Sequence, residues 1–276
     1  MFSRIWTVAA QEIRIGIRNR WILLATLILA VFSLALALLG SAPAGTLGVD
    51  RLTITVASLA SLSVYLVPLI ALLLAFDAVC GEIERGTLLM TLSCPISRTE
   101  FLAGKAFGHT LVLSFALVIG YGLTAGLLVA LGSGSVSGLI DFARLIATSV
   151  LLGVCFLAIG YVLSSLTRQS GTAAAAAIAA WLILVVLYDL ALLGALVANP
   201  SGAFASDVFP YAVLANPADA FRLFNLAALG ASELVGGMAG VAETLPFPPL
   251  MALVSLAAFA GLMLSLSTML IRRIMP

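Results

Sequence analysis

The chain has 276 residues, of which 63% are hydrophobic and 9% charged, with a mean hydropathy of +1.23 and a net charge of +1. A soluble domain is about half apolar and about a quarter charged, and a chain of this size cannot bury such an excess in its own core. The composition describes an integral membrane protein; it excludes a soluble enzyme, a secreted disulfide scaffold and, for lack of a basic footprint, a nucleic-acid binder.

Residues 3–18 come before the first apolar run. Ile5, Trp6, Ala9, Ile13 and Gly16 share one helical face, while Arg4, Arg14 and Arg18 lie elsewhere. This pattern suits a basic helix lying in the membrane interface; an ordinary basic tail flanking the first span is the plainer reading. Six stretches then reach the about 20 apolar residues that a helical crossing needs. They run over 21–39, 54–76, 107–131, 145–166, 171–197 and 250–271. Barrel strands would need short alternating segments, so an all-α membrane fold is expected, as a single domain over 1–276. Ala42-Pro43-Ala44 resembles a signal cleavage site, but the apolar run before it is too long for a signal sequence and cleavage is not expected.

The thirteen basic residues divide unevenly. Arg4, Arg14, Arg18, Arg20, Arg85, Arg98, Lys105, Arg168, Arg272 and Arg273 fall on one side; Arg51, Arg144 and Arg222 fall on the other. The positive-inside rule then puts both termini in the cytoplasm.

The connection between spans 2 and 3 is the most informative. Charges are scarce in this chain, yet Asp77, Glu82, Glu84, Arg85, Arg98, Glu100 and Lys105 all fall there. Leu88, Leu89 and Leu92 recur at helical spacing, and Pro95 ends that helix. Composition alone leaves open a surface for a cytoplasmic partner or a solvated loop. Gly132–Gly138 reads as a flexible outer turn, and 167–170 as a tight turn between antiparallel neighbours. About fifty residues separate spans 5 and 6; Asn216 and Pro217 start a helix there that carries Asp219, Phe221, Arg222 and Phe224. A loop this long is expected to dock an outer partner. Asp189 is the one ionisable residue well inside a span, a candidate for function or simply for the outer interface.

No catalytic constellation is present. A single histidine, His109, precludes an H-E-x-x-H zinc motif, and Gly104-Lys105 lacks the glycine and hydroxyl that a phosphate loop needs. Cys80, Cys94 and Cys155 read as buried thiols rather than a metal site. Met251 and Met269 stand about 27 Å apart on one face of span 6, too far for a soft-metal relay. The chain is therefore expected to be no enzyme and to hold no cofactor or metal of its own.

Gly81-Glu82-x-Glu84-x-Gly86-Thr87-Leu88, followed by Pro95, Arg98 and Gly104-Lys105, resembles the ABC-2 type transporter permeases. The resemblance extends over essentially the whole chain. It implies six spans, an N-terminal interfacial helix, a cytoplasmic coupling helix after span 2 and a long periplasmic loop before span 6. It implies that Glu82, Glu84, Arg85, Gly86, Thr87, Leu88, Leu89, Leu92, Pro95 and Arg98 meet an ATPase subunit that binds ATP and Mg. A narrower likeness rests on Arg18–Trp21, Ala57–Leu62, Leu66–Ala75 with Asp77, and Asn216–Asp219. It is to permeases that serve nitrous oxide reductase, and it implies a homodimer in the bacterial inner membrane with two ATPase copies inside. Outside, it implies a β-helical accessory protein met by Asn216, Pro217, Asp219, Phe221 and Arg222. The work implied is support of copper–sulfur cluster assembly; export of a sulfur compound, lipid or hydrophobic drug is the second expectation.

Overall fold

The computed structural model describes residues 2–39, 51–132, 135–198, 204–228 and 246–273. The described residues are helical, without strands. The elements are α1 (Phe2–Arg18), α2 (Arg20–Leu39), α3 (Arg51–Ala75), α4 (Cys80–Glu84), α5 (Thr87–Ser93), α6 (Arg98–Ala130), α7 (Val136–Leu166) and α8 (Ser170–Trp181). After a π-helical stretch, Leu182–Leu187, come α9 (Tyr188–Ala198), α10 (Phe209–Ala215), α11 (Pro217–Ala228) and α12 (Leu250–Arg273). Six helical stretches are long and apolar enough to cross a membrane: α2, α3 with α4, α6, α7, α8 through α9, and α12. Ala42–Ala44, Asp50, Glu233 and Glu243 lie outside the described residues, as does part of the Gly/Ser turn.

Two spans begin earlier than their apolar runs. α6 starts at Arg98 rather than 107, and α7 at Val136 rather than 145. Apolarity marks only the lipid-facing length, whereas helix starts are set by caps. Ser97 accepts from the Glu100 N–H while Glu100 reaches back to the Ser97 N–H, a capping box, and the Ser135 hydroxyl accepts from the Gly138 N–H. With 33 residues, α6 reaches roughly 50 Å, well past a hydrocarbon core of about 30 Å. Its first turns, with Lys105, therefore precede the apolar run that starts at 107 while staying helical.

α7 is the centre. Two thirds of its apolar window is buried within the chain, against 17% for the fifth span, 22% for α12 and 28% for α2, so those three turn most of their own apolar surface to lipid or a partner. α3 and α12 flank α7, and α11 wedges among α3, α7 and α12. Tyr121, Tyr161, Phe142 and Phe156 fill the middle, fully buried. Between apolar helices in lipid, close backbone approach and hydrogen bonds replace the hydrophobic drive. Here Ser63 and Tyr121 join α3 to α6 at 2.7 Å, and Ser33 donates to Thr124 at 2.6 Å.

α1 lies along the start of α6. Glycines permit the contact. A Cβ on Gly104 would stand 2.6 Å from Val8 Cβ, and one on Gly108 2.7 Å from Glu12 Cβ. Gly104→Val or Gly108→Val is therefore expected to force α1 off α6, costing about 1–3 kcal/mol. A lower unfolding midpoint in detergent and faster proteolysis at Arg14 would report it; unchanged values would show that α1 does not depend on this contact.

Candidate functional site at the coupling segment

The segment after α3 is two short helices, and the leucines at helical spacing all belong to the second, α5. Gly86 separates α4 from α5 with φ of 72°, a left-handed conformation that costs other residues about 1–2 kcal/mol. The segment is pinned at its start: the Val79 and Cys80 N–H groups both donate to the Ser164 hydroxyl of α7, at 2.9 and 3.0 Å. Glu84 accepts from the N–H and hydroxyl of Ser170 at 2.9 and 2.6 Å, and so closes the first turn of the fifth span. Beyond α5 the chain runs through exposed Pro95 to the Ser97 cap. Arg98 donates to the Arg272 carbonyl at 2.9 Å, joining the start of α6 to the end of α12.

The residues expected to meet an ATPase divide between two faces. Glu84, Arg85, Gly86, Leu89 and Pro95 are exposed, and Met90, unmarked in the sequence, is 75% exposed beside Leu89. Leu88 is buried, Thr87 donates to the Glu82 carboxylate, and Glu82 itself turns inward. The Leu92 side chain lies outside the described set.

Glu82 enters a network that sequence reasoning did not assemble. Lys105 Nζ on α6 stands 2.6 Å from Glu12 Oε1 on α1 and 3.2 Å from Glu82 Oε1 on α4. His109, one turn along from Lys105, places Nε2 3.1 Å from Glu12 Oε2 and Nδ1 2.8 Å from the Tyr161 hydroxyl on α7. An ionised carboxylate only accepts, so Nε2 carries the proton, and in the neutral ring Nδ1 accepts from Tyr161. Lys105 is 5% exposed, Glu12 8% and His109 7%, so water does not compensate these groups. Burial alone would raise the Glu12 carboxyl. The His109 hydrogen bond and the Lys105 charge outweigh it and hold the group at about 2. Four elements, α1, α4, α6 and α7, thus meet in one chain of charge-assisted bonds.

A second polar cluster sits toward the other end of the fifth span. Arg222 Nη1 is 2.9 Å from Asp189 Oδ2 and 3.7 Å from Asp219 Oδ1. Asn216 donates to the Leu184 carbonyl at 2.6 Å, within the π-helical stretch whose widened turn offers carbonyls to partners. Its Oδ1 accepts from the Ala218 N–H and starts α11. Asp189, flagged as a lone charge, is thus paired. Asn216, Pro217, Asp219 and Phe221 are buried, and Arg222 is only partly exposed.

The model for ABC-2 family transporter proteins matches residues 6–271. The chain belongs to that family. It is 40% identical over 273 residues to the probable ABC transporter permease protein NosY of Stutzerimonas stutzeri, covering 98% of this chain and 99% of the relative. It is 41% identical over 271 residues to the protein of the same description in Pseudomonas aeruginosa, covering 98% of each. It is therefore a multi-pass permease subunit of an ABC transporter, and ABC-2 permeases work with ATPase subunits. Among the described residues of this permease, no cluster of three or more His, Cys, Asp or Glu side chains could hold a metal ion.

One signal for the buried network was present in the sequence. Glu12 is the only acidic residue of α1, and it shares the buried face with Ala9 and Gly16. A charge on the apolar face of an amphipathic helix calls for a buried partner. Which partner could not be read, because Lys105 and His109 lie 93 and 97 positions away.

Burial pushes the Asp219 carboxyl up to about 7, with nearby Asp189 adding to the rise and Arg222 opposing it. An acid whose folded-state value is raised holds its proton longer when folded. Stability is therefore expected to fall as pH rises from the ordinary 3.8 through about 7. Asp219→Asn should flatten that slope in unfolding midpoints measured across the range. A slope left unchanged in the variant would assign the dependence to another group.

Proposed function

We propose that this permease is a mechanical coupler in the bacterial cytoplasmic membrane, a single domain with both termini inside. Two copies pair; each receives an ATPase subunit, which binds ATP and Mg, on Glu84, Arg85, Gly86, Leu89, Met90 and Pro95. Glu82, Thr87, Leu88 and Arg98 hold that surface to the spans. Outside, the segment 204–228 takes the β-helical accessory protein, with Asn216, Pro217, Asp219, Phe221 and Arg222 setting its shape from within. The work delivered supports assembly of the copper–sulfur cluster of nitrous oxide reductase.

The observation that carries this reading is the bonding of the exposed segment. Through Glu82, Glu84 and the 79–80 backbone, it is fixed to α1, α6, α7 and the start of the fifth span. A displacement applied at α4 and α5 is therefore delivered to four helices together, as a rigid-body or helix-shift transition needs. The likeness to NosY proteins supports the destination of that work. Co-purification tests it: the native complex is expected to contain the ATPase and the accessory protein, and loss of the permease is expected to leave the reductase copper-poor. ATP-driven accumulation of a defined solute in vesicles would instead favour export.

A further inference from the structure

The corner where α1 turns into α2 faces the corner where α3 turns into α4. Between α2 and α3 runs an apolar groove of about 500 Å³, lined by Trp21, Leu24, Ile28, Leu66, Leu69 and Leu73 among others. Ligand cavities span about 300–1,000 Å³. The groove ends at Asn19 and Asp77, and both residues also line a polar chamber of about 170 Å³ walled by Glu12, Glu82, Arg85, Lys105 and His109. An apolar trough thus opens into a charged pocket at the depth where interfacial helices join spans. Trp21, Leu24 and Leu73 are exposed along it, so the groove is open to the surroundings of the bundle.

We propose that this cleft binds one phosphatidylethanolamine molecule, with an acyl chain in the groove and the headgroup in the chamber. Charge chooses the headgroup. The chamber is walled by three carboxylates, Glu12, Asp77 and Glu82, against two cations, Lys105 and Arg85. Glu12, Glu82 and Lys105 saturate one another, whereas Asp77 and Arg85 form only a long ion pair that is open to the surroundings. Their closest atoms are 3.7 Å apart, and the Asp77 carboxylate accepts no hydrogen bond among the described residues. A zwitterion completes both: its phosphate faces Arg85, and its primary ammonium offers N–H donors to Asp77. Phosphatidylglycerol brings no cation, and phosphatidylcholine brings a cation without N–H donors. A free phosphate or amine would leave the groove unfilled. The proposal goes beyond the coupling role and does not depend on it.

Native mass spectrometry of the purified complex, after exchange into equimolar phosphatidylethanolamine, phosphatidylglycerol and phosphatidylcholine, tests the site. One phosphatidylethanolamine per permease copy is expected to be retained. Asp77→Asn is expected to reduce its retention about tenfold, on the scale of a lost charge-assisted hydrogen bond. Ala25→Phe, which fills the groove without altering charge, is expected to displace the lipid while the complex stays assembled, so a folding defect in the first variant leaves the test standing. Equal retention of all three lipids, retention of none, or lipid binding unaffected by Ala25→Phe would overturn the proposal. So would a high-yield disulfide between two Leu24→Cys copies in membranes, which would place a second copy of this chain in the groove.

Discussion

Lys105→Met is expected to destabilise the permease by about 3–5 kcal/mol, the range measured when one partner of a buried ion pair is removed. Among the described residues the lysine is the only cation within 4 Å of the Glu82 carboxylate, and it shares Glu12 with His109. Without it, the buried Glu12 carboxylate and the partly exposed Glu82 carboxylate lose their shared counter-charge, which loosens α1 and α4 from α6. Thermal unfolding in detergent would show a strongly lowered midpoint. The triple replacement Glu12→Gln, Glu82→Gln, Lys105→Met removes the charges together and is expected to recover part of the loss. A Lys105→Met variant as stable as the parent would mean that the network contributes no stability. The pH response follows from Glu12: its depressed carboxyl contributes stability that is complete above its ordinary 4.5 and lost as pH falls toward about 2.

Glu84→Ala is expected to uncouple rather than unfold. Its carboxylate is at the surface, and the two Ser170 hydrogen bonds it loses act as a helix cap rather than as core contacts. Those bonds nonetheless join the coupling segment directly to the fifth span. Coupling free energies between sites are about 1–3 kcal/mol, or roughly 5–150-fold. Stimulation of ATP hydrolysis in the assembled complex is therefore expected to fall by about an order of magnitude, with copper in the reductase falling alongside. Arg85→Ala, at the same surface, should weaken assembly with the ATPase. Normal hydrolysis, assembly and copper content in both variants would sink the coupling role.

The residues of these variants were visible in the sequence, while their pairing with Glu12 and Ser170 was not. Glu84 and Arg85 stood out because charges are rare in this chain and seven of them crowd one connection. The six spans were legible for a related reason: the lipid environment demands about 20 apolar residues per crossing, and that demand is written locally. The break at Gly86 was not legible, since the three leucines all lie after it and only the backbone conformation shows the left-handed turn. Helix starts were missed at Arg98 and Val136 because capping, rather than hydropathy, sets them.

Asp189 shows the same division from the other end of the bundle. In the sequence it is a single acid inside a span; in the fold it is 2.9 Å from Arg222, 33 positions later, on a helix wedged among α3, α7 and α12. Sequence by itself determined the solvent this chain lives in, the number of crossings, the uneven distribution of its basic residues and the connection where its scarce charges gather. Each follows from composition and spacing over a few turns of helix. The tertiary structure alone decided which charges neutralise which, because a buried charge must find an opposite partner wherever packing brings one, at whatever distance along the chain.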